Sequence, residues 1–268
     1  MESSASLKEW KVVNRLCIRQ TDTIKQFVHT FVKTHPKTRK RNILLSILVR
    51  CSSNLLSVAL LSKFMVMNQK PVLLKLPVGL LLRSCYMDAL LGLYICNQDD
   101  NHVEEIAEVL HADYVGALFN QFEVYRDNVG DDGFDADFLE HMYTMAIEDN
   151  YMAYLELNKE LDEVEIGHER NLWKVTPRKK IRMLIPDKKV ANELNIKTIW
   201  EYLKEREYYA ECANILFAYY KYFSQYEHFS ESSFGDSTIS LDLDHVSLVR
   251  AVERLSEAFG MIQRQLAG

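Results

Sequence analysis

Glycine and proline are scarce in this chain, at 9 and 5 of 268 residues. Sandwiches and barrels need far more turn residues than that, so the composition excludes them and favours long helices. The five cysteines, Cys17, Cys51, Cys85, Cys96 and Cys212, are scattered, and none forms a CxxC pair. Zinc sites and disulfide frameworks both need clustered spacing. The expectation is therefore free, buried thiols in a reducing compartment. His102, His111, His141, His168 and His245 show no HExxH or comparable spacing, so neither a metal nor a cofactor is expected. The chain also lacks GxxxxGK[ST], GxGxxG and GxSxG, which removes the commonest nucleotide and hydrolase signatures. Residues 1–20 carry charges throughout and hold no continuous apolar run, so the expected location is cytoplasmic.

What is present is a large apolar fraction, 48%, enough for a packed core. The net charge of −6 argues against non-specific coating of nucleic acid. The charge is unevenly spread: residues 99–165 are strongly acidic, whereas Lys33–Arg41 and Arg170–Lys189 are strongly basic. Two stretches resemble membrane spans, Ile43–Met67 and Leu74–Cys96. Arg50 and Lys63 interrupt the first; Lys75, Arg83 and Asp88 interrupt the second. A central charge costs roughly 2.5–3.5 kcal/mol on insertion. Both stretches read as buried core helices, and no membrane is expected as a partner.

The periodicity predicts an all-α bundle of about seven helices in a single domain over 1–268. Trp10, Val13, Leu16, Cys17, Ile24, Phe27, Val28 and Phe31 recur at steps of three and four, which predicts a helix from Ser4 to Thr34 with a break at Thr21-Asp22-Thr23. Residues 1–38 are expected to lie at the periphery. A second helix is predicted from Asn42 to Asn68 and a third, buried all round, from Pro77 to Asn97. Further helices are predicted over His102–Arg126 and Ala136–Leu161. Residues 162–187 lack helical period and read as a long irregular connection or insertion. Helix resumes from Lys188 to His228 with a break near Glu205–Glu207. Asp244 is the expected N-cap of a last helix from His245 to Leu266.

One segment concentrates polar chemistry on an apolar face. Ala213, Leu216, Phe217 and Tyr220 share a helix face, and Ser224 and His228 continue it by steps of four. Buried polar groups need partners, so something must face Tyr220, Ser224 and His228. Arg83 and Asp88 interrupt the most apolar helix and need partners too. Five residues apart, they are not each other's main partner. Arg83 is expected to meet the Tyr220–His228 face across a helix interface. Two readings stay open: a buried polar network that ties the helix end down, or a cleft. In the second, His228 acts as acid or base and Arg83 as anion donor. Seven lysines and arginines between Lys174 and Lys189, beside Trp173, form a weaker candidate for gripping phosphates.

The stretches "LPVGLLLRSCYMDALLGLY" and "FAYYKYFSQYEHFS" resemble a bacterial family of uncharacterised all-helical proteins. Its members carry an arginine followed by an acidic residue in a central helix and, later, a Tyr-x3-Ser-x3-His pattern. The matching positions are Arg83, Asp88, Tyr220, Ser224 and His228. The family is distantly similar to HEPN domains, helical bundles of abortive-infection and toxin–antitoxin systems. HEPN ribonucleases use an Arg-x4-6-His motif, commonly paired with a second copy in a dimer. Here His228 matches the histidine, but Lys221 stands at the longest allowed spacing where the motif has arginine.

The resemblance implies a metal-independent ribonuclease, or a protein that binds RNA or nucleotides, in phage defence or a toxin–antitoxin context. The candidate catalytic residues are His228, Arg83 and Ser224; the candidate binding residues are Tyr220, Lys221 and Asp88. The alternative is a non-catalytic, homodimeric interaction protein. Its motivation is the apolar helices around residues 43–97, which would bury a shared surface.

Overall fold

The computed structural model describes residues 4–68, 75–110, 188–224 and 247–268. Among them are eight helices and no strands. In chain order these are α1 (Ser4–Thr34), α2 (Arg39–Asn68), α3 (Lys75–Cys96), α4 (100–110), α5 (Lys188–Glu193), α6 (Ile196–Lys204), α7 (Glu207–Ser224) and α8 (Leu248–Ala267). The all-α expectation holds. The irregular connection expected at 162–187 and the helix expected at Ala136–Leu161 lie outside the described residues. The chain, expected as a single domain, clusters into two compact units: Met1–Val103 with Glu193–Gly268, and Glu104–Asn192. In the second unit, the described residues 104–110 and 188–192 are helical.

In the first unit α3 is the centre, packed by α2, α6, α7 and α8. Its Leu82, Cys85, Tyr86, Ala89, Leu90, Leu93 and Ile95 are fully buried, as its all-round apolar composition requires. Each large side chain so buried contributes about 1.5–3 kcal/mol. Gly92 lets α8 approach closely, since a Cβ there would stand 2.6 Å from Ile262 Cδ1. Both α2 and α3 contain stretches long and apolar enough to cross a membrane, and 44% and 67% of those stretches are buried within the protein.

The N-terminal helix contributes one face to the core and leaves the other exposed. α1 packs along α2 and against α8, with Val13, Cys17 and Ile24 fully buried. The break expected at Thr21–Thr23 does not occur. The Thr21 hydroxyl donates across to Ser52 O at 3.2 Å, and Thr23 donates back to Arg19 O at 2.9 Å. With their hydroxyls satisfied, weak helix formers stay helical. α2 starts three residues earlier than expected because Thr38 caps it: its hydroxyl accepts from Arg41 N at 3.3 Å. At the other end of the chain, Asp244 lies outside the described residues, and Ser247 is the N-cap of α8. Its hydroxyl accepts from Arg250 N at 3.4 Å and donates to Glu9 Oε1 at 3.1 Å, joining α8 to α1. The break near Glu205–Glu207 separates α6 from α7, and a further break precedes Ile196, where Asn195 caps α6.

Candidate functional site

The α3–α7 interface is held in register by aromatic stacking. Tyr86 stacks on Tyr219 at 5.2 Å between centroids and on Phe223 at 5.8 Å. The Tyr86 hydroxyl donates to Ala251 O of α8 at 2.7 Å, so this buried ring joins three helices. Burial pushes its phenol well up, and it remains a neutral donor.

Arg83 lies one turn before Tyr86, and Tyr220 and Ser224 each follow one of its stacking partners. That spacing brings Arg83 to the polar end of the α7 face. Arg83 Nε donates to Ser224 Oγ at 3.2 Å. The Ser224 hydroxyl donates to Tyr220 O at 2.7 Å. The Arg83 guanidinium carbon lies 5.4 Å from the Tyr220 ring centroid, within cation–π range. The expected meeting of Arg83 with the α7 face is therefore present for Tyr220 and Ser224. All three are half-buried, so packing does not seal them; Lys221 is exposed, with its Nζ 5.7 Å from the Phe217 ring centroid. His228 lies outside the described residues, as do Trp173 and the basic run as far as Asp187. What the described cluster offers is a guanidinium, a hydroxyl and an aromatic ring on one half-open patch. These groups suit a phosphate oxygen and an unstacked base.

Asp88 is not part of this cluster. It is fully buried and faces α2, where its carboxylate accepts from Arg50 Nε at 2.6 Å and also from Arg50 Nη2. Cys51 Sγ lies 3.8 Å away. Burial pushes the Asp88 carboxyl up, and the Arg50 guanidinium opposes that shift. Five residues on a helix turn the side chain to a different neighbour, so Asp88 serves the α2–α3 contact and not the Arg83 patch.

The thiols match the expectation of free cysteines. Cys51 Sγ and Cys85 Sγ each reach the other residue's carbonyl oxygen, at 4.0 and 3.8 Å. Burial pushes Cys17 and Cys96 up to about 12 and Cys212 to about 11, which keeps them protonated and unreactive near neutral pH. Among the described residues no group of three or more His, Cys, Asp or Glu is placed to hold a metal.

The sequence did not foresee a second polar group at the far end of α3. His102 Nε2 pairs with Glu193 Oε2 at 3.0 Å, and the Tyr94 hydroxyl donates to the same oxygen at 3.3 Å. Burial, and then the Glu193 carboxylate, push the Tyr94 phenol up. Glu193 comes from a helix 99 residues beyond Tyr94, so no local spacing could have announced it. A cavity of about 260 Å³ lies near the start of α2, with Lys40, Arg41, Asp100 and Gln265 in its wall. None of Arg83, Asp88, Tyr220, Lys221 or Ser224 lines it. No protein-family model, no curated protein and no solved structure matches this chain.

Proposed function

We propose that the protein is a HEPN-like helical bundle that binds RNA at the Arg83–Tyr220–Ser224 patch, with His228 as the acid or base of a metal-independent cleavage. The observation that carries the reading is the convergence of Arg83 with Ser224 and Tyr220 from two helices, on a patch left half-open. A guanidinium held over a ring and beside a hydroxyl is fixed in orientation, which favours recognition of an anion such as a phosphate. Ser224 is four residues before His228, so a helix continued by one turn would carry the imidazole to the same patch. Cleavage of a phosphodiester without metal needs such a proton carrier near neutral pKa and a cation beside the phosphate. The resemblance adds the context of phage defence or toxin–antitoxin systems, and the pairing of two copies in a homodimer.

The test uses labelled single-stranded RNA and the full chain in EDTA. Wild type is expected to bind and cut it, and His228→Ala to bind but not cut. Equal background-level cleavage by both removes the enzyme. Absence of binding by wild type removes the RNA reading altogether. Sedimentation as a monomer at micromolar concentration removes the dimer.

A further inference from the structure

The outer surface of the α1–α2 hairpin joins two features that are unusual together. It is basic, and it exposes aliphatic side chains. Between residues 4 and 68 stand twelve lysines and arginines, of which Arg50 is paired with Asp88 and Lys40 bonds to Gln98 O, and two acidic residues, Glu9 and Asp22. Glu9 is half-buried and bonded to Ser247, which leaves Asp22 as the exposed carboxylate of the hairpin. Lys8, Lys11, Arg15 and Arg19 recur at steps of three and four on the exposed side of α1, with Lys25 and Lys33 further along.

Two hydrogen bonds fix how the helices lie. Asn14 Nδ2 donates to Ala59 O at 2.7 Å, and Thr21 donates to Ser52 O. The helices are thus antiparallel. Residues three or four steps from these contacts, on the side away from the core, form one seam. On α1 they are Lys11, Ile18 and Lys25; on α2 they are Val49, Leu56 and Lys63, with Leu60 and Met67 continuing. In this register Val49 stands about level with Lys25, Leu56 with Ile18, and Leu60 with Lys11 and Arg15. Leu60 is 60% and Met67 71% exposed. From Val49 to Met67 the row runs about 27 Å at about 1.5 Å per residue.

We infer that this face docks on an anionic lipid bilayer as a peripheral surface. Aliphatic side chains flanked by lysines and arginines match the acyl boundary and the charged headgroups of such a surface. A nucleic acid would satisfy the basic row but leave the aliphatic row against water; Phe64, 56% exposed one turn beyond Leu60, adds a single ring, short of the successive rings on which single-strand sites stack bases, and a phenylalanine suits the acyl boundary. The burial of the two apolar helices points the same way. Less than half of the apolar stretch of α2 is covered, against two-thirds for α3. The proposal departs from the sequence expectation that no membrane is a partner. It concerns contact with the surface, not a span. It does not rest on the RNA reading, because it uses a different face.

Vesicle flotation of the full chain tests it, with phosphatidylcholine alone and with phosphatidylcholine mixed with phosphatidylglycerol. Flotation is expected with the mixed vesicles alone and is expected to weaken in high salt. The triple variant Lys11→Glu, Arg15→Glu, Lys25→Glu should lower vesicle affinity by about tenfold or more. Leu60→Ser with Met67→Ser should lower it comparably at unchanged charge. All five sites are exposed, so circular dichroism melts should not move. Four results would overturn the proposal: no flotation; equal flotation with neutral vesicles; RNA binding that the charge reversals abolish and the serine variants leave intact; or a dimer that the serine variants split.

Discussion

Arg83 and Asp88 sit five residues apart on one helix, and their surroundings differ in kind. Asp88 is sealed against α2 and paired with Arg50, whose side chain remains 56% exposed. Arg83 leans on a hydroxyl and a ring at a half-open edge against α7. The first arrangement is what a buried charge needs in order to be tolerated at all. The second holds a cation at a half-buried edge, beside groups of another helix. An interrupting charge in an apolar helix therefore has no single meaning. Its neighbour and its access to water decide whether it holds the fold or serves a site.

Removing Arg50 should sharpen this contrast most. Arg50→Met leaves a buried carboxylate without its cation and should cost about 3 kcal/mol near neutral pH, read by denaturant unfolding. The pH dependence has a definite sign. Because burial raises the folded-state value of Asp88, the folded chain holds that proton more tightly than the unfolded one. Its contribution to stability is greatest in acid and declines as pH rises through the folded-state value. The cost of Arg50→Met should therefore shrink as the pH is lowered. Adding Asp88→Asn to Arg50→Met should restore most of the loss. A loss that is independent of pH and untouched by Asp88→Asn would break the account of this pair.

The stacked ring between the two charges should come next. Tyr86→Phe keeps the stacking and loses the bond to Ala251, at about 1 kcal/mol, measured by thermal unfolding. RNA affinity should stay unchanged, since Tyr86 is buried behind the patch. Smallest in stability should be Ser224→Ala, within about 1 kcal/mol because the site is half-buried. Its effect should appear in RNA affinity, because it removes the group that orients Arg83.

Much of the fold was legible because long helices with one-sided or all-round apolar faces leave strong periodic signals. The extent of the Ser4–Thr34 helix is legible, though not its continuity through Thr21, and so is α3 as the central buried helix. The ends were less legible. Thr38 and Ser247 act as caps through hydrogen bonds made beside a basic run and against a distant Glu9. The false break at Thr21 came from local propensity, which the bond to Ser52 overrides. At the candidate site, the need of Arg83 for a partner was readable from its apolar surroundings, and so was the face that supplies one. The pairing of Asp88 with Arg50 is not legible in the sequence, because the register of α2 on α3 is set by packing. The group formed by Tyr94, His102 and Glu193 depends on chain connectivity that no spacing encodes.

The most direct test of the contrast is Arg83→Gln, measured twice on the same preparation, for unfolding and for binding of labelled single-stranded RNA. The account predicts stability within about 1 kcal/mol of wild type, as for a half-exposed cation, together with an RNA affinity lowered by about tenfold or more. An unfolding loss as large as that of Arg50→Met, with RNA affinity unchanged, would contradict it and make Arg83 a second structural charge.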